Sequence, residues 1–298
     1  MRCSLLFACV LTLASSLRFD IDPSPFPAAS PNDDAALLET GSPPKLTVPS
    51  TSDELKIVSY NIRWRSGEEL HEIIERLRSD AEVGGAQIIG LQEVDRRKRR
   101  TGYTNTARLI AEGLGMNYAW AAPPQSEDST EEETGVALFS PYPLTEISRI
   151  VLPHPGPRGR RRVALGATIK IAPDRAVRVY TVHSETRIEV WQKIDQLRAV
   201  LDDLKRYPQI TRYIVLGDFN TTEVAALKET RRLFAQAGFL TPFDEDQPTW
   251  RFTAMGLRLL ELKLDWIWLH GLSPQAWGIA RRINYSDHWP LWIRAKFD

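Results

Sequence analysis

The stretch "RYIVLGDFN" (residues 212–220) runs from four apolar residues into a glycine, then into two polar side chains two positions apart. A short apolar run closed by Gly and Asp reads as a buried strand. Residues i and i+2 of a strand point to one side, so Asp218 and Asn220 are able to aim a carboxylate and an amide at one place. Gly, Asp and Asn also punctuate ordinary turns ahead of a helix, and "TTEVAAL" follows here. The tetrapeptide acquires meaning only if other parts of the chain deliver chemistry to the same point.

They do so with one repeated pattern. "LKIVSYNIR" (55–63) ends at Asn61, "AQIIGLQEV" (86–94) at Glu93 and "RAVRVYTVHS" (175–184) at His183. "LKLDWIWL" (262–269) carries Asp265, and "SDHWPL" (286–291) places Asp287 and His288 before the run "WPLWIRAKF" (289–297). A polar group at the border of an apolar strand is costly unless it is paired, hydrogen-bonded or bound to a metal. One such residue is ordinarily structural; a whole series of them strains that reading. The oxygen donors (Glu93, Asp287 and Asn61) suit Mg²⁺ or Mn²⁺, and neither a His-x-x-x-His pair nor a cysteine cluster suggests zinc. Two histidines and a further Asp supply acid–base roles, which together with a hard cation suit a phosphate ester.

Further strands are expected at 134–140, 143–152, 162–171 and 275–280, and helices at 67–79, 106–115, 187–207 and 223–237. Strands outnumber helices. Two sheets packed face to face with helices outside fit this order, as does a mixed α+β domain.

The ordered series "SYNIR", "LQEVD", "GVALFSPYPL", "VHSE", "GDFN", "LDWIW" and "SDHWPL" resembles the endonuclease/exonuclease/phosphatase superfamily over essentially all of residues 55–298. The resemblance implies a deoxyribonuclease I-like fold: an α+β, four-layer α/β/β/α sandwich of two mixed sheets with helices outside. It implies Glu93 as principal metal ligand, supported by Asn61 and Asp287, with Mg²⁺ or Mn²⁺ as cofactor. Asp218 would orient or deprotonate the attacking water, and Asn220 would hold the phosphate or the nucleophile. His288, oriented by Asp265, would stabilise the pentacovalent phosphate, and His183 would contact a phosphate oxygen or assist the leaving group. The implied activity is in-line hydrolysis of a phosphodiester or phosphomonoester. The alternative is a non-catalytic binding or scaffold protein on the same fold. One departure is "GGAQIIGLQEV", where relatives commonly carry Pro-Asp before the strand; it touches no implied site residue.

The 298 residues carry 38 basic and 38 acidic side chains, so no global field selects nucleic acid or membrane as partner. Two local runs break that balance, "RRKRR" (96–100) and "RGRRR" (158–162). Such runs are ordinarily solvated faces, but both adjoin motif residues, and Arg161 or Arg162 is placed to meet a substrate phosphate. The substrate is therefore expected to be a phosphate ester: nucleic acid, phospholipid headgroup or small phosphodiester. The acidic stretch 126–135 would repel a long nucleic acid on the same face, and no apolar hairpin suited to entering a membrane stands out. No obligate protein partner is implied and a monomer is expected.

"MRCSLLFACVLTLASS" (1–16) has the layout of a secretory signal peptide, so export to periplasm or medium is expected, with a cytoplasmic location the alternative. Both cysteines, Cys3 and Cys9, lie in it, which leaves 17–298 without thiols. Residues 17–52 are rich in Pro and Ser and read as a disordered tether, with the folded domain at 53–298.

Overall fold

The computed structural model describes residues 36–46, 53–124, 133–255 and 257–298. The expected signal peptide lies outside them, as does most of the acidic stretch. Fourteen strands and four α-helices are built from these residues. One sheet has seven strands in the order β1(Leu38–Gly41)–β4(Asn117–Ala121)–β5(Glu133–Ser140)–β3(Ile88–Arg96)–β2(Glu54–Asn61)–β14(Leu291–Phe297)–β13(Leu272–Ile279). A second has five, β12(Asp265–His270)–β9(Tyr213–Asp218)–β8(Arg175–His183)–β7(Val163–Ala172)–β6(Leu144–Val151). Each sheet is mixed, with a parallel pair at its heart: β2 with β3, and β8 with β9.

The period-2 alternation of the strands explains the layers. In β2, Leu55 and Ile57 face the second sheet, while Val58 and Tyr60 face the helices α1(Gly67–Ser79) and α2(Thr106–Leu114). In β9, Ile214 and Leu216 face the first sheet, while Val215 packs under α3(Val190–Leu204) and α4(Val224–Gln236). Three apolar cores therefore separate four layers, α/β/β/α. Gly90 of β3 brings the sheets close: a Cβ there would stand 2.1 Å from a Leu216 methyl carbon.

Two parts differ from expectation. Leu38–Gly41, assigned to the tether, form β1 and pair antiparallel with β4. Glu39 of that strand accepts from Arg96, Asn105 and Tyr118, so the segment is held by polar contacts that its composition does not advertise. The second is a separate two-stranded sheet, β10(Trp250–Ala254) with β11(Leu257–Leu262). It is an apolar hairpin where none stood out in the sequence.

Candidate active site

The side chains of the candidate site continue the rows that fill the space between the sheets. Leu55, Ile57, Ser59 and Asn61 form one row; Val177, Val179, Thr181 and His183 a second; Ile214, Leu216 and Asp218 a third; and Leu269, Ile267 and Asp265 a fourth. Each row is apolar in the middle of the sandwich and turns polar near one end. A bond from Gln92 Nε2 to Thr181 Oγ1 (2.9 Å) crosses the two sheets just before the site begins. Register then aligns the catalytic candidates: His183 lies opposite Asp218 on β8–β9, and Asp265 opposite Asp218 on β9–β12.

Glu93 arrives by a different route. Strict alternation would turn it toward the helix layer behind Leu91. A bulge between Gln92 and Val94 gives that place to Val94, and Glu93 adopts a left-handed backbone (φ 55°). Bulges of this kind re-aim a side chain at a cost in backbone strain. Left-handed backbone also occurs at Arg63, Trp64 and Asn220, all beside the site. Gly217 has φ 136°, and a Cβ there would meet the Val182 carbonyl oxygen at 2.1 Å, so "GDFN" needs its glycine.

At the centre, Asn61 Nδ2 donates to Glu93 Oε1 (3.2 Å) and to Asp218 Oδ2 (3.0 Å), while Asn61 Oδ1 accepts from Arg63 N (3.0 Å). Asn61 thus turns its donor side to two carboxylates that converge on one nitrogen. Asp218 Oδ1 accepts from Asn220 N (3.0 Å), and Asp218 Oδ2 stands 3.7 Å from His183 Nε2 and 3.8 Å from His288 Nε2. His288 Nδ1 is 2.8 Å from Asp265 Oδ2. The Asp265 backbone N–H donates to Thr249 Oγ1, whereas Asp265 Oδ1 is buried with no partner among the described residues.

Charge follows from these contacts. Burial penalises the charged His288 ring, yet the Asp265 and Asp218 carboxylates outweigh it and raise its pKa to about 10. Burial, reinforced by the neighbouring Asp265 carboxylate, raises the Asp218 pKa to about 7 against the opposing charge of His288. Burial, reinforced by Arg162, pushes His183 well below its ordinary value. Arg162 Nη1 lies 3.3 Å from His183 Nδ1. Because arginine only donates, Nδ1 is the acceptor and the neutral ring carries its proton on Nε2, facing Asp218.

The structure therefore gathers Asn61, Glu93, His183, Asp218, Asn220, Asp265 and His288. Asp287 sits at the rim, its Oδ2 taken by Arg63 (2.9 Å) and Trp250 Nε1 (3.0 Å). Of the two arginines expected at substrate, Arg162 reaches His183, and Arg161 is its neighbour in the chain. The basic runs are partly structural. Arg96 pairs with Glu133 and Glu39, Arg100 clasps Asp95 at 2.7 and 2.9 Å, and buried Glu185 holds Arg160 and Arg162. Sequence reasoning missed Lys193, fully buried with its Nζ donating to Asn220 O. Its signal was a charged residue at an apolar-stripe position, one turn before Leu197 of α3.

The model of the endonuclease/exonuclease/phosphatase family matches residues 58–288. The chain belongs to this family. Among solved structures, an endonuclease/exonuclease/phosphatase of Beutenbergia cavernae is similar at 16% identity, TM-score 0.64, over 82% of this chain and 72% of that one. TDP2 of D. rerio, in complex with a single-strand DNA product, is similar at 17% identity, TM-score 0.61, over 82% of this chain and all (100%) of that one. ANGEL2, described as a 2',3'-cyclic phosphatase, is similar at 14% identity, TM-score 0.60, over 87% of this chain and 97% of that one. These likenesses show the shared fold. No curated protein sequence matches the chain.

Proposed function

We propose that this protein hydrolyses a phosphate ester by attack of water in line with the leaving group. The observation that carries the reading is the continuous constellation Glu93–Asn61–Asp218–His288–Asp265, set where the parallel strands of two sheets end. A divalent cation fits these residues. Glu93 and Asp218 converge on one amide nitrogen, and Asp265 leaves a buried oxygen without a partner among the described residues. Ligand atoms of Asp218, Asp265 and His288 also lie within 4.8 Å of one another. The Asp265 and Asp218 carboxylates favour the charged form of His288, which counts against that ring as a ligand. Glu93 is accordingly the better holder. Asn61, expected beside it as a ligand, turns its Nδ2 donor to that point instead, because its Oδ1 accepts from Arg63 N. Asp287 at the rim has its Oδ2 engaged by Arg63 and Trp250. When bound, Mg²⁺ or Mn²⁺ would supply charge for the developing phosphorane oxygens.

The chain's own residues supply the remainder. Asp218, fixed through both oxygens by Asn61 and the Asn220 N–H, aligns a water and accepts its proton. His288 presents Nε2–H, and His183 its own Nε2–H, near the Oδ2 atom of that carboxylate, at 3.8 and 3.7 Å. Both are placed to bond non-bridging phosphate oxygens, and Arg162 behind His183 adds positive charge. TDP2 and ANGEL2 lend family precedent for nucleic-acid and cyclic phosphate esters, and a phospholipid headgroup or small diester suits the same chemistry. Export by the 1–16 segment is part of the proposal.

The test is hydrolysis of bis-(p-nitrophenyl) phosphate and of plasmid DNA by the full chain, with Mg²⁺ and with EDTA, beside Asp218→Asn. Mg²⁺-dependent turnover lost in the variant is expected. Equal rates in both proteins would refute the scheme and turn attention to a non-catalytic role on this fold.

A further inference from the structure

The β10–β11 hairpin departs from the rule that large apolar side chains are covered. Met255 is 101% exposed, Leu257 65%, Leu259 59%, Phe252 48% and Leu260 40%, all within nine residues of chain. Phe252 lies opposite Leu260 and Ala254 opposite Leu257, and the register shift after Phe252 leaves Leu259 out of the pairing. The hairpin is a sheet of its own, joined to neither large sheet. An isolated two-stranded hairpin is marginal in water, and an apolar patch of this kind on a protein surface marks an interaction site.

Its base is fastened to the reaction centre. Trp250 donates to Asp287 Oδ2 and pairs with His288 as a single antiparallel bridge; Arg251 N donates to Asp287 O at 2.9 Å. Between the hairpin and the body lies a cleft of about 560 Å³ lined by Arg63, Arg65, Arg251 and Arg258, against the carboxylates of Glu69 and Asp287. Arg63 pairs with Asp287 and Arg65 with Glu69, and Arg258 lies 3.5 Å from Glu261, so the four arginines exceed their carboxylate partners by one charge. Arg65 Nε is buried without a hydrogen-bond partner among the described residues.

We propose that this hairpin is a membrane-docking element, seated on a bilayer that carries anionic lipid. The occupant follows from the chemistry of the hairpin: apolar side chains at and beside the turn, Arg258 opposite Thr253 one rung behind Leu257, and Arg251 with Trp250 at the base. Arginine stems lie along apolar surface while their heads stay in the polar layer, and tryptophan favours the same level. Strands of five and six residues reach roughly 15 Å at about 3.3 Å per residue. That exceeds the 5–10 Å depth to which interfacial apolar elements are buried. The tip therefore enters the acyl boundary while the cleft stays among headgroups. A protein of zero formal charge would otherwise have no general attraction to such a surface. Resting on the hydrolase reading above, docking would present a phospholipid headgroup to Asp218 and His288; the docking itself does not depend on that reading.

The experiment is co-sedimentation of the full chain with phosphatidylcholine vesicles, with and without phosphatidylglycerol, in EDTA. Met255→Asp/Leu257→Asp is compared with the parent, and both retain residues 1–16, so any difference belongs to the hairpin. We expect binding that needs phosphatidylglycerol, at least about tenfold weaker in the double variant. Arg258→Gln should weaken binding and reduce its salt dependence. Thermal unfolding and turnover of soluble bis-(p-nitrophenyl) phosphate should be unchanged in the double variant, because both side chains stand in solvent. Equal partition of parent and double variant overturns the proposal, as does absence of vesicle binding. A dimer of the parent, detected by light scattering and abolished by the same substitutions, would instead assign the patch to self-association. Vesicle binding without hydrolysis of any phosphate ester would leave docking standing and remove the hydrolase reading.

Discussion

Removing the Asp203 carboxylate should cost this fold about 4 kcal/mol. Arg178 of β8 is fully buried and donates to Tyr180 Oη (3.0 Å), Ser148 Oγ (2.6 Å), Thr168 Oγ1 (3.3 Å) and the Glu146 carbonyl. Asp203 near the end of α3, 3.4 Å from Arg178, also accepts from Tyr180 Oη (2.7 Å) and Ser148 Oγ (2.9 Å). At an effective dielectric of about 20, charges near 3.4 Å attract by roughly 5 kcal/mol. Relief of the aspartate's own desolvation offsets part of this. Breaking a buried pair from one side typically costs about 3–5 kcal/mol, because the remaining charge is stranded. For a domain of this size Asp203→Ala should lower Tm by roughly 10 °C. Replacing both partners, Arg178→Met with Asp203→Leu, should recover most of the loss. The acid limb provides a second check. Burial acts to raise the Asp203 pKa, but the Tyr180 and Ser148 hydrogen bonds and the Arg178 charge outweigh it and hold it below 3.8. A carboxylate with a lowered folded pKa stabilises fully above its unfolded value and loses that contribution as pH falls through the folded one. The difference between parent and Asp203→Ala, followed by urea unfolding, should therefore be constant near neutrality and shrink below about pH 4. A loss under about 1 kcal/mol at pH 7 would refute the account of the network.

Three further outcomes bear on the site. Glu93→Gln should lower Mg²⁺-dependent turnover by about two to three orders of magnitude. In EDTA its unfolding midpoint should match or exceed the parent's, since one of two convergent carboxylates is gone; a lower midpoint would show a structural role instead. Lys193→Met removes the Nζ bond to Asn220 O, a charged hydrogen bond of about 1.5–3 kcal/mol, and should reduce kcat by roughly 10- to 100-fold with KM little changed. An unaltered kcat would show that Asn220 keeps its left-handed backbone without help. Gly217→Ala forces a Cβ against the Val182 carbonyl at φ 136° and should destabilise by about 3 kcal/mol in denaturant titration, a result that a neutral variant would contradict.

The site was largely legible because its residues interrupt apolar rows, and interruption is visible in a sequence. Asn61, His183, Asp218 and Asp265 each take the next inward-facing place after apolar or small neighbours, so period-2 reading finds them. Glu93 was found by its position at a strand end, but its direction depends on a bulge that no local pattern announces. What stayed hidden was hidden for identifiable reasons. β1 is four residues long and lies in a Pro- and Ser-rich context; its pairing with β4 comes from tertiary contacts of Glu39. Leu257, Leu259 and Leu260 carry no mark of being exposed, because hydrophobicity alone predicts burial. The arginines of 96–100 look like a surface run, yet Arg96 is buried against Glu133, a partner 37 residues away.

The placement of the site follows from how the sandwich uses its middle layer. Between the sheets, burial favours apolar side chains until the strands of the parallel pairs run out, and there the same inward direction delivers polar groups to a dry, shaped space. Gln92 and Thr181 mark the change, a hydrogen-bonded pair with apolar packing on one side and the Asn61–Asp218 contact on the other. That location explains the electrostatics. Asp218 is buried enough for its pKa to rise, and His288 is buried yet charged because Asp265 lies one strand over in exact register with Asp218. Shifting β12 by one residue would turn Asp265 toward the helix layer and bring Trp266 inward, removing the counter-charge from His288. Thr249 opposes that slip, because its hydroxyl accepts the N–H groups of both Leu264 and Asp265 at 3.0 and 2.9 Å. The residue beside Thr249 is Trp250, where the exposed hairpin begins. Register of β12 and attachment of the hairpin are thus set at one corner, beside Asp265 and His288.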